Sequence, residues 1–421
     1  MKILWVTNTI FPDLSKIMKS PPQVVGGWMV SLANDLLLKG VDLTIVTARQ
    51  NIKKEQTKIN GISYYLLETK KPITTLDNSL AEKWKKVISE VQPDVVHIHG
   101  TEYAHGLSLM KVCPNLNYVI SIQGLISVYA RYYRGNVSRK EIKKFRTFRD
   151  FIKRDSILQA QTKLELRGEE IEKKYFQLGK HFIGRTQWDY DHTKTLAKYA
   201  KYHFCNESLR SSFYASKKWN LNQKQNHSIF LSQAIFPLKG LHQVIKALSL
   251  LIHDFPNIKL RVAGSNILKS DTFRDTIAFS GYSNYIRHLI HKFSFQDKVK
   301  FMGVLSEKEM IEEYLNCHLF ICPSSIENSP NSLGEAQLLG VPCIASYVGG
   351  IPDMIEHNET GLLYRFEEVE MLSQSIRQIF TNSSLAEKLS KNGIQVAEER
   401  HNKEENAERT KEIYQNILKK N

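Results

Sequence analysis

The chain has 421 residues, enough for two or three domains of ordinary size. Hydrophobic residues make up 42% and aromatic residues 10%, so the composition excludes a disordered chain and a fibrous repeat. The formal net charge is +15, which favours anionic partners such as phosphorylated small molecules, acidic lipid or nucleic acid.

Cysteine usage and hydropathy bear on the compartment. The five cysteines are scattered and include no Cys-x-x-Cys pair, so neither a disulfide framework nor a zinc site is expected. Residues 1–7 form a strand-like run without the apolar core of a signal peptide. No run of 18 apolar residues predicts a transmembrane helix. We therefore expect the protein in a reduced, cytoplasmic compartment. A further expectation is peripheral contact with the cytoplasmic face of the membrane.

Short apolar runs alternate with longer helical patterns over the first half of the chain. The predicted strands are 3–7, 43–47, 95–98, 118–122, 181–184 and 202–205. Helical stretches such as 28–38 and 80–91 lie between them. This alternation is typical of a parallel sheet with helices on both faces, and it predicts a first domain over residues 1–219.

The same pattern restarts after the polar stretch 220–226, which we interpret as a linker. The predicted strands of the second half are 229–232, 259–263, 299–302, 319–322 and 342–345. They predict a second domain over residues 227–401, and we expect a helix at about 402–421 to pack back on the first domain. The fold class is therefore α/β, with two Rossmann-like, doubly wound parallel-sheet domains facing a central cleft where ligands bind.

Two glycines open the first long helix. Gly26-Gly27 lets the backbone approach a ligand, and a helix N-terminus offers free N–H groups and a positive dipole that suit a diphosphate. A simple loop-to-helix turn is the alternative. The dinucleotide pattern Gly-x-Gly-x-x-Gly is missing, so a nicotinamide cofactor is not expected.

Charged residues mark two strand-to-helix junctions in the second half. Glu327 and Glu335 lie eight residues apart, with Glu335 one turn into a helix where it can hold ribose hydroxyls. The alternative is a solvated helix face with a cap. Lys239, in Pro237-Leu-Lys-Gly240, is a cation suited to a departing diphosphate, unless it is an ordinary surface lysine.

Together these motifs resemble the family-4 (group 1) retaining glycosyltransferases of the GT-B fold. The resemblance is strongest from about 228 to 365, where the chain carries the Glu-x7-Glu element, Gly340-Val-Pro342 and Val348-Gly-Gly-Ile-Pro-Asp353. It implies transfer of a sugar from a nucleotide-sugar, a UDP- or GDP-sugar, to a saccharide or lipid-linked glycan with retention of configuration. It also implies a metal-independent enzyme without a cofactor, acting in cell-envelope polysaccharide or glycan biosynthesis.

The resemblance also implies roles for single residues. Lys239 and Glu327 would be catalytic. The donor contacts would be Gly26, Gly27, Gly303, Val304, Asn331, Ser332, Leu333 and Glu335. One departure is Ala234, where the family usually has an arginine, so half of the cationic clamp is missing or supplied from elsewhere, for example by Arg185.

Polar residues near the ends of the first domain's strands are acceptor-side candidates, namely His99, Glu102, Gln123, Arg185 and Glu207. Gln123 stands where the family often has a histidine; it can hydrogen-bond an acceptor but cannot act as a base near neutral pH. His97 and His99 share one strand face, so a metal site, a substrate contact and a structural role are all open. Glu207 either binds acceptor or caps the following helix.

Residues 131–154 concentrate the positive charge, with ten Lys or Arg against two acids. A single helix over 142–154 would place Ile142, Phe145, Phe148, Phe151 and Ile152 on one half. It would place Lys143, Arg146, Lys153 and Arg154 on the other. This pattern is typical of an in-plane membrane helix, and we expect it to dock the first domain on an anionic membrane surface. The alternative is a solvated basic helix whose aromatic residues pack on that domain.

Two other classes of protein compete with this interpretation. A sugar-nucleotide epimerase can share the two-domain architecture, although the Glu327 to Glu335 element argues against it. A nucleic-acid-binding protein would explain the charge, but no recognised RNA- or DNA-binding motif occurs, so no nucleic-acid partner is expected.

Overall fold

The structure, a computed structural model, describes residues 1–17, 26–50, 56–269 and 279–419. The chain forms two compact units. Unit 1 comprises Met1–Ser127, Leu166–Arg210 and Arg400–Asn421, and unit 2 comprises Val128–Glu165 and Ser211–Glu399. Each unit is built on one mainly parallel sheet, which confirms the predicted fold class of two α/β domains.

The sheet of unit 1 has eight strands in the order β3-β4-β2-β1-β5-β6-β7-β8. They are β1 (Lys2–Thr7), β2 (Asp42–Arg49), β3 (Gln56–Ile59), β4 (Ile62–Glu68), β5 (Val95–His99), β6 (Tyr118–Ser121), β7 (His181–Gly184) and β8 (Lys201–Phe204). All pairs are parallel except β3 with β4, a hairpin that the sequence analysis did not predict. The strands β5 and β6 are buried along their whole length, as expected for central strands of such a sheet.

The sheet of unit 2 has six strands in the order β11-β10-β9-β12-β13-β14, all parallel. They are β9 (Ser228–Leu231), β10 (Lys259–Ala263), β11 (Val299–Gly303), β12 (Leu319–Cys322), β13 (Cys343–Ser346) and β14 (Leu362–Tyr364). The three central strands are fully buried, so their carboxyl ends define one edge where the following loops gather.

Helices connect the strands in both units. In chain order they are α1 (Pro12–Ile17), α2 (Gly27–Leu38), α3 (Ala81–Val91), α4 (Ala104–Val112), α5 (Ile126–Tyr132), α6 (Arg139–Lys144), α7 (Phe148–Lys153), α8 (Ile157–Arg167), α9 (Lys173–Leu178), α10 (Gln187–Leu196), α11 (Ser211–Tyr214), α12 (Leu241–Ser249), α13 (Gly281–Lys292), α14 (Glu307–Asn316), α15 (Asn331–Leu338), α16 (Val369–Thr381), α17 (Ser383–Arg400) and α18 (Lys403–Leu418). Among the described residues, no helix is both long and apolar enough to cross a bilayer.

The C-terminal helix α18 lies in unit 1, although it follows unit 2 in sequence. The Tyr414 hydroxyl accepts a hydrogen bond from Trp5 Nε1 at 3.0 Å and makes a second one with His97 Nδ1 at 2.6 Å. All three side chains are buried, so α18 contributes to the core beside β1 and β5. Residues 420 and 421 of the predicted helix lie outside the described residues.

Residues 128–165 lie in unit 2, whereas the sequence analysis assigned them to a first domain ending at 219. Three hydrogen bonds join residues 128–165 to the rest of unit 2. His242 Nε2 donates to the Gly135 carbonyl at 2.6 Å, Ser325 Oγ donates to the Tyr132 carbonyl at 2.9 Å, and Thr147 Oγ1 donates to the Phe279 carbonyl at 2.8 Å. The linear division at 219 therefore does not describe this segment, or residues 211–219, which also lie in unit 2.

The predicted single helix over 142–154 is wrong. The chain forms two short helices, α6 and α7, because each begins with its own capping box. In the second, Thr147 Oγ1 accepts from the Asp150 amide at 3.2 Å, and Asp150 Oδ2 accepts from the Thr147 amide at 3.1 Å. This reciprocal pair fixes Thr147 in extended conformation, which interrupts the helix between Lys144 and Phe148.

Candidate functional site

Lys239 lies on a short 3-10 turn that follows β9. Gly240 closes the turn with a φ of +72°, and a Cβ added there would lie 1.8 Å from the Pro323 carbonyl oxygen. Only glycine therefore allows the turn to pack this closely on the loop after β12. The contact brings the Lys239 ammonium into an ion pair with the Glu327 carboxylate, and the two side chains are 17% and 9% exposed.

Glu327 is held by groups from two loops. Ser324 Oγ donates to its carboxylate at 2.7 Å, and the Gly350 amide donates to its backbone carbonyl at 3.0 Å. Gly349 approaches the same carbonyl so closely that a Cβ would lie 1.9 Å from the oxygen. The sequence analysis noted the Gly349-Gly350 pair only as a family motif and missed its support of Glu327.

The helix α15 begins beside this pair and carries the other second-domain candidates that follow β12. The Asn331 side-chain oxygen is buried without a hydrogen-bond partner, and the Ser332 carbonyl accepts from Tyr314 Oη at 2.9 Å. Leu333 and Glu335 are buried, so Leu333 can reach a ligand only through its backbone. An unpaired buried amide oxygen at a helix start indicates a place for a donor group on a ligand or water.

Gly303 and Val304 follow β11 at the same edge of the sheet. Gly303 has a φ of +77°, and a Cβ added there would meet no atom within 4 Å. Val304 is 65% exposed. Open space beside an exposed backbone and a small apolar side chain suits a flat ring such as a nucleobase. The structure thus places Lys239, Gly303, Val304, Glu327 and the start of α15 after carboxyl ends of strands in one sheet.

Gly26 and Gly27 begin α2 in unit 1. Gly26 is the N-cap residue with a φ of +89°, and a Cβ there would lie 2.9 Å from the side chains of Thr9 and Met29. Because glycine has no side chain, the N-cap residue makes no side-chain hydrogen bond to the first turn of this 12-residue helix. Such a helix start retains donors for an anion.

A polar cluster lies at the carboxyl ends of β6, β7 and β8 in unit 1. Arg185 Nη1 and Gln123 Nε2 both donate to Glu207 Oε1, at 2.7 and 2.8 Å. The Arg185 and Glu207 side chains are only 5% and 7% exposed. Glu207 Oε2 and Arg185 Nε are buried without a partner. Because buried polar atoms are normally satisfied, these two atoms leave the cluster with capacity for further hydrogen bonds.

Glu102 and His99 lie at the end of β5 in the same unit. Burial raises the pKa of Glu102 to about 7 and lowers the pKa of His99 to about 3. Glu102 Oε2 and both His99 ring nitrogens are buried without a partner. Gly100 makes this arrangement possible, because a Cβ there would lie 2.1 Å from Glu102 Oε2.

The histidines near β5 have different environments. His97 is held by Tyr414 and by Ser121 Oγ at 2.6 Å, and His105 Nε2 donates to the Thr7 carbonyl at 2.9 Å, so both have structural partners. The His97 and His99 rings are in contact, with centroids 3.9 Å apart and the ring planes tilted by 31°. Within the described ranges, no group of three or more His, Cys, Asp or Glu is arranged to hold a metal ion.

Two family models match the sequence. Residues 214–396 match "Glycosyl transferases group 1", and residues 24–145 match "Glycosyl transferase 4-like". Together the two matches span more than two thirds of the chain. Among curated relatives, the capsular polysaccharide biosynthesis glycosyltransferase CapM of Staphylococcus aureus is 24% identical over 181 residues, which cover 43% of this chain and 44% of the relative. The chain spans about half the length of the first curated relatives it matches.

Solved structures share the fold over the whole chain. Sucrose-phosphate synthase from Thermosynechococcus elongatus superposes with a TM-score of 0.72 at 15% identity and covers 100% of both chains. Anabaena HepE, solved in complex with UDP and glucose, superposes with a TM-score of 0.65 at 15% identity and covers 99% of this chain and 100% of that chain. At such low identity these similarities establish the architecture, which is GT-B.

Proposed function

We propose that this chain, which belongs to the group 1 glycosyltransferases, transfers a sugar from a nucleoside diphosphate sugar to a saccharide or lipid-linked glycan with retention of configuration. The observation that carries the proposal is the Lys239–Glu327 ion pair at the carboxyl edge of the unit 2 sheet. The Lys239 ammonium, on a turn fixed by Gly240, and the unpaired amide oxygen of Asn331 are suitable groups for binding a diphosphate and its sugar.

The reaction needs one bond to break and one to form at the anomeric carbon. The bond from that carbon to the diphosphate oxygen breaks, and the acceptor hydroxyl bonds to the same face of the ring. The departing diphosphate takes the hydroxyl proton, so no protein base is required. Lys239 stabilises the negative charge that develops on the diphosphate, and Glu327 positions Lys239 until the donor arrives.

The remaining donor contacts are proposed for residues of both units. Gly303 and Val304 border the space proposed for the base, Glu335 is proposed to accept from the ribose hydroxyls, and Asn331 to Leu333 present the start of α15 to the phosphates or sugar. Gly26 and Gly27 are proposed to contribute free amides. UDP is the first nucleotide to test, because HepE was solved with UDP and glucose.

The polar groups of unit 1 are proposed to contact the acceptor. Glu207, Arg185, Glu102 and His99 hold buried atoms that lack partners in the part of the chain that the structure describes, and Gln123 is hydrogen-bonded to Glu207 and Arg185. Acceptor hydroxyls would satisfy the unpaired atoms. Because CapM is a capsular polysaccharide biosynthesis glycosyltransferase, a cell-envelope glycan is the acceptor class that we propose. We also propose that the reaction takes place on the cytoplasmic side of the membrane.

A panel of UDP-, GDP- and ADP-sugars tests the proposed function by thermal shift and by nucleotide release. We expect one nucleotide class to stabilise the protein. Lys239→Ala should slow nucleotide release, and Glu335→Gln should weaken donor binding, each by ~1.5–3 kcal/mol or roughly 10- to 150-fold. Wild-type behaviour in both variants would refute the site. Isomerisation of a nucleotide-sugar alone would instead indicate an epimerase.

We also propose that transfer requires no divalent cation, because Lys239 and backbone amides supply the positive charge. Nucleotide release in excess chelator should equal that in its absence. A complete loss that metal restores would overturn this part of the proposal and direct attention to His97 and His99.

Contact with an anionic membrane is proposed for residues 131–154, now as part of unit 2. Phe148, Phe151 and Ile152 on α7 are 73%, 66% and 62% exposed, whereas Ile142 is buried and Phe145 packs against Tyr285. The same segment carries eight exposed cations, namely Arg131, Arg139, Lys140, Lys143, Lys144, Arg146, Lys153 and Arg154. Apolar side chains inserted between lipid headgroups and basic residues that attract them would act together.

Co-sedimentation with vesicles that contain acidic lipid tests this contact. A triple change of Phe148, Phe151 and Ile152 to Ser should abolish binding without unfolding the chain, because all three are exposed. Tyr199→Ser, at a position 94% exposed in unit 1, is the matched control and should bind as the wild type does. Equal binding to neutral vesicles, or no binding at low salt, would refute the contact.

A further inference from the structure

A cavity of about 450 Å³ lies within unit 2, between residues 128–165 and the loops after β9 and before α13. Tyr133 and Phe236 form part of its wall, with their ring centroids 6.2 Å apart, and Ile157 and Phe279 extend the apolar surface. Neither Lys239 nor Glu327 is among the described residues that line the cavity, and all of these lining residues belong to unit 2.

The chain that forms the cavity is packed against the turn that carries Lys239. Gly135 has a φ of +55°, and a Cβ there would lie 2.2 Å from the carbonyl oxygen of Pro237, the first residue of that turn. His242 Nε2 donates to the Gly135 carbonyl at 2.6 Å. Because Pro237 also lines the cavity, a molecule bound there would contact the turn that carries Lys239.

Charged residues of both signs line the cavity. Arg149 pairs with Asp155 at 2.8 Å and lies 3.7 Å from Asp150, and Lys269 adds one further cation. The described residues of the wall thus include two cations and two acids. Asp150 Oδ2 accepts from the Gly281 amide at 2.9 Å, while its buried Oδ1 has no hydrogen-bond partner. A hydroxyl donor would satisfy this oxygen.

We propose that this cavity binds a saccharide unit of the acceptor, an inference that rests on the proposed glycosyl transfer. Aromatic rings such as Tyr133 and Phe236 suit the apolar C–H faces of a sugar, and the carboxylates of Asp150 and Asp155 suit its hydroxyls. The volume lies in the range of small-molecule sites and has room for one or two sugar rings. Unit 2 thus holds an acceptor subsite in addition to the polar cluster of unit 1.

The position of α7 agrees with this assignment. Arg149 and Asp150 line the cavity, while Phe148, Phe151 and Ile152 on the same helix are exposed. A helix that contacts lipid on one side and a saccharide on the other fits an acceptor whose sugar is attached to a lipid carrier.

The test uses saturation-transfer NMR on the full chain with methyl glycosides of glucose, galactose, mannose and N-acetylglucosamine as probes. At least one glycoside should show transfer to the wild type. Ala160→Trp places a large ring in the cavity and should remove the signal, whereas Thr162→Trp, at an exposed position of the same helix, should leave it unchanged. Asp155→Ala, at a partly exposed position, should lower the affinity about tenfold or more.

Nucleotide binding separates failure of this inference from failure of the proposed function. Ala160→Trp should keep the thermal shift with the preferred nucleotide-sugar, which also shows that the variant is folded. A wild type that binds nucleotide-sugar but none of the four glycosides would overturn the inference alone. So would glycoside signals that persist in both Ala160→Trp and Asp155→Ala. Absence of any nucleotide shift in the wild type would count against the proposed function instead.

Discussion

Replacing Gly240 with alanine should damage both stability and the position of Lys239. The left-handed backbone conformation, at a φ of +72°, costs about 1–2 kcal/mol when the residue is alanine. Its Cβ would also lie 1.8 Å from the Pro323 carbonyl oxygen, and relieving such overpacking costs about 1–3 kcal/mol more. The sum is roughly 2–5 kcal/mol, and the turn must move away from the loop that leads to Glu327.

Gly264 offers a matched control in the same unit. Its φ is +94°, but a Cβ there would meet no atom within 4 Å, so Gly264→Ala should pay only the backbone cost of about 1–2 kcal/mol. Thermal unfolding should therefore show a decrease in Tm of roughly 10 °C for Gly240→Ala against roughly 4 °C for Gly264→Ala. Equal decreases would refute the idea that the Pro323 contact holds the Lys239 turn.

Two further predictions concern unit 1. Tyr414→Phe removes the hydroxyl that joins Trp5 and His97 and leaves their buried nitrogens unpaired. The free energy of unfolding, measured in urea, should fall by about 2–4 kcal/mol. A fall under about 0.5 kcal/mol, which is no more than ordinary surface substitutions cost, would contradict the contact. Glu102 has a folded-state pKa of about 7, above an unfolded value of about 4.3, so the folded state binds more protons and stability should fall as the pH rises through that window. Glu102→Gln should make the urea midpoint depend less on pH between about pH 5 and pH 8. An unchanged slope would mean that other groups cause the pH dependence.

The periodic parts of the fold could be predicted from the sequence because their burial is set by their own residues. The strand β5 is apolar or buried at every position, and β12 likewise, so continuous apolar runs located both. The hairpin of β3 and β4 was missed because its first strand is polar and at least half exposed. Such a strand is stabilised by pairing with its neighbour, which a single apolar run does not reveal.

The break between α6 and α7 could have been predicted, but the hydrophobic pattern was given more weight than the capping signals. Ser138 with Glu141 and Thr147 with Asp150 each fit the capping-box spacing, and each begins a helix. The membership of this segment in unit 2 could not have been predicted. It depends on long-range contacts, such as the donation from Thr147 Oγ1 to the Phe279 carbonyl across 132 residues, that no local pattern encodes.

In the candidate site too, local motifs point to single residues, whereas the contacts between those residues depend on distant parts of the chain. The sequence motifs predicted Lys239 and Glu327 as site residues, and the contact between them depends on Gly240 and Gly349 packing against carbonyls of other loops. Ala234, where the family resemblance implies an arginine, is only 2% exposed. An arginine there would have to displace packed neighbours, so the position has no space for a second cation. Under the proposed function, Lys239 would then supply more of the charge stabilisation at the diphosphate, and the rigidity that Gly240 gives its turn would matter more for turnover.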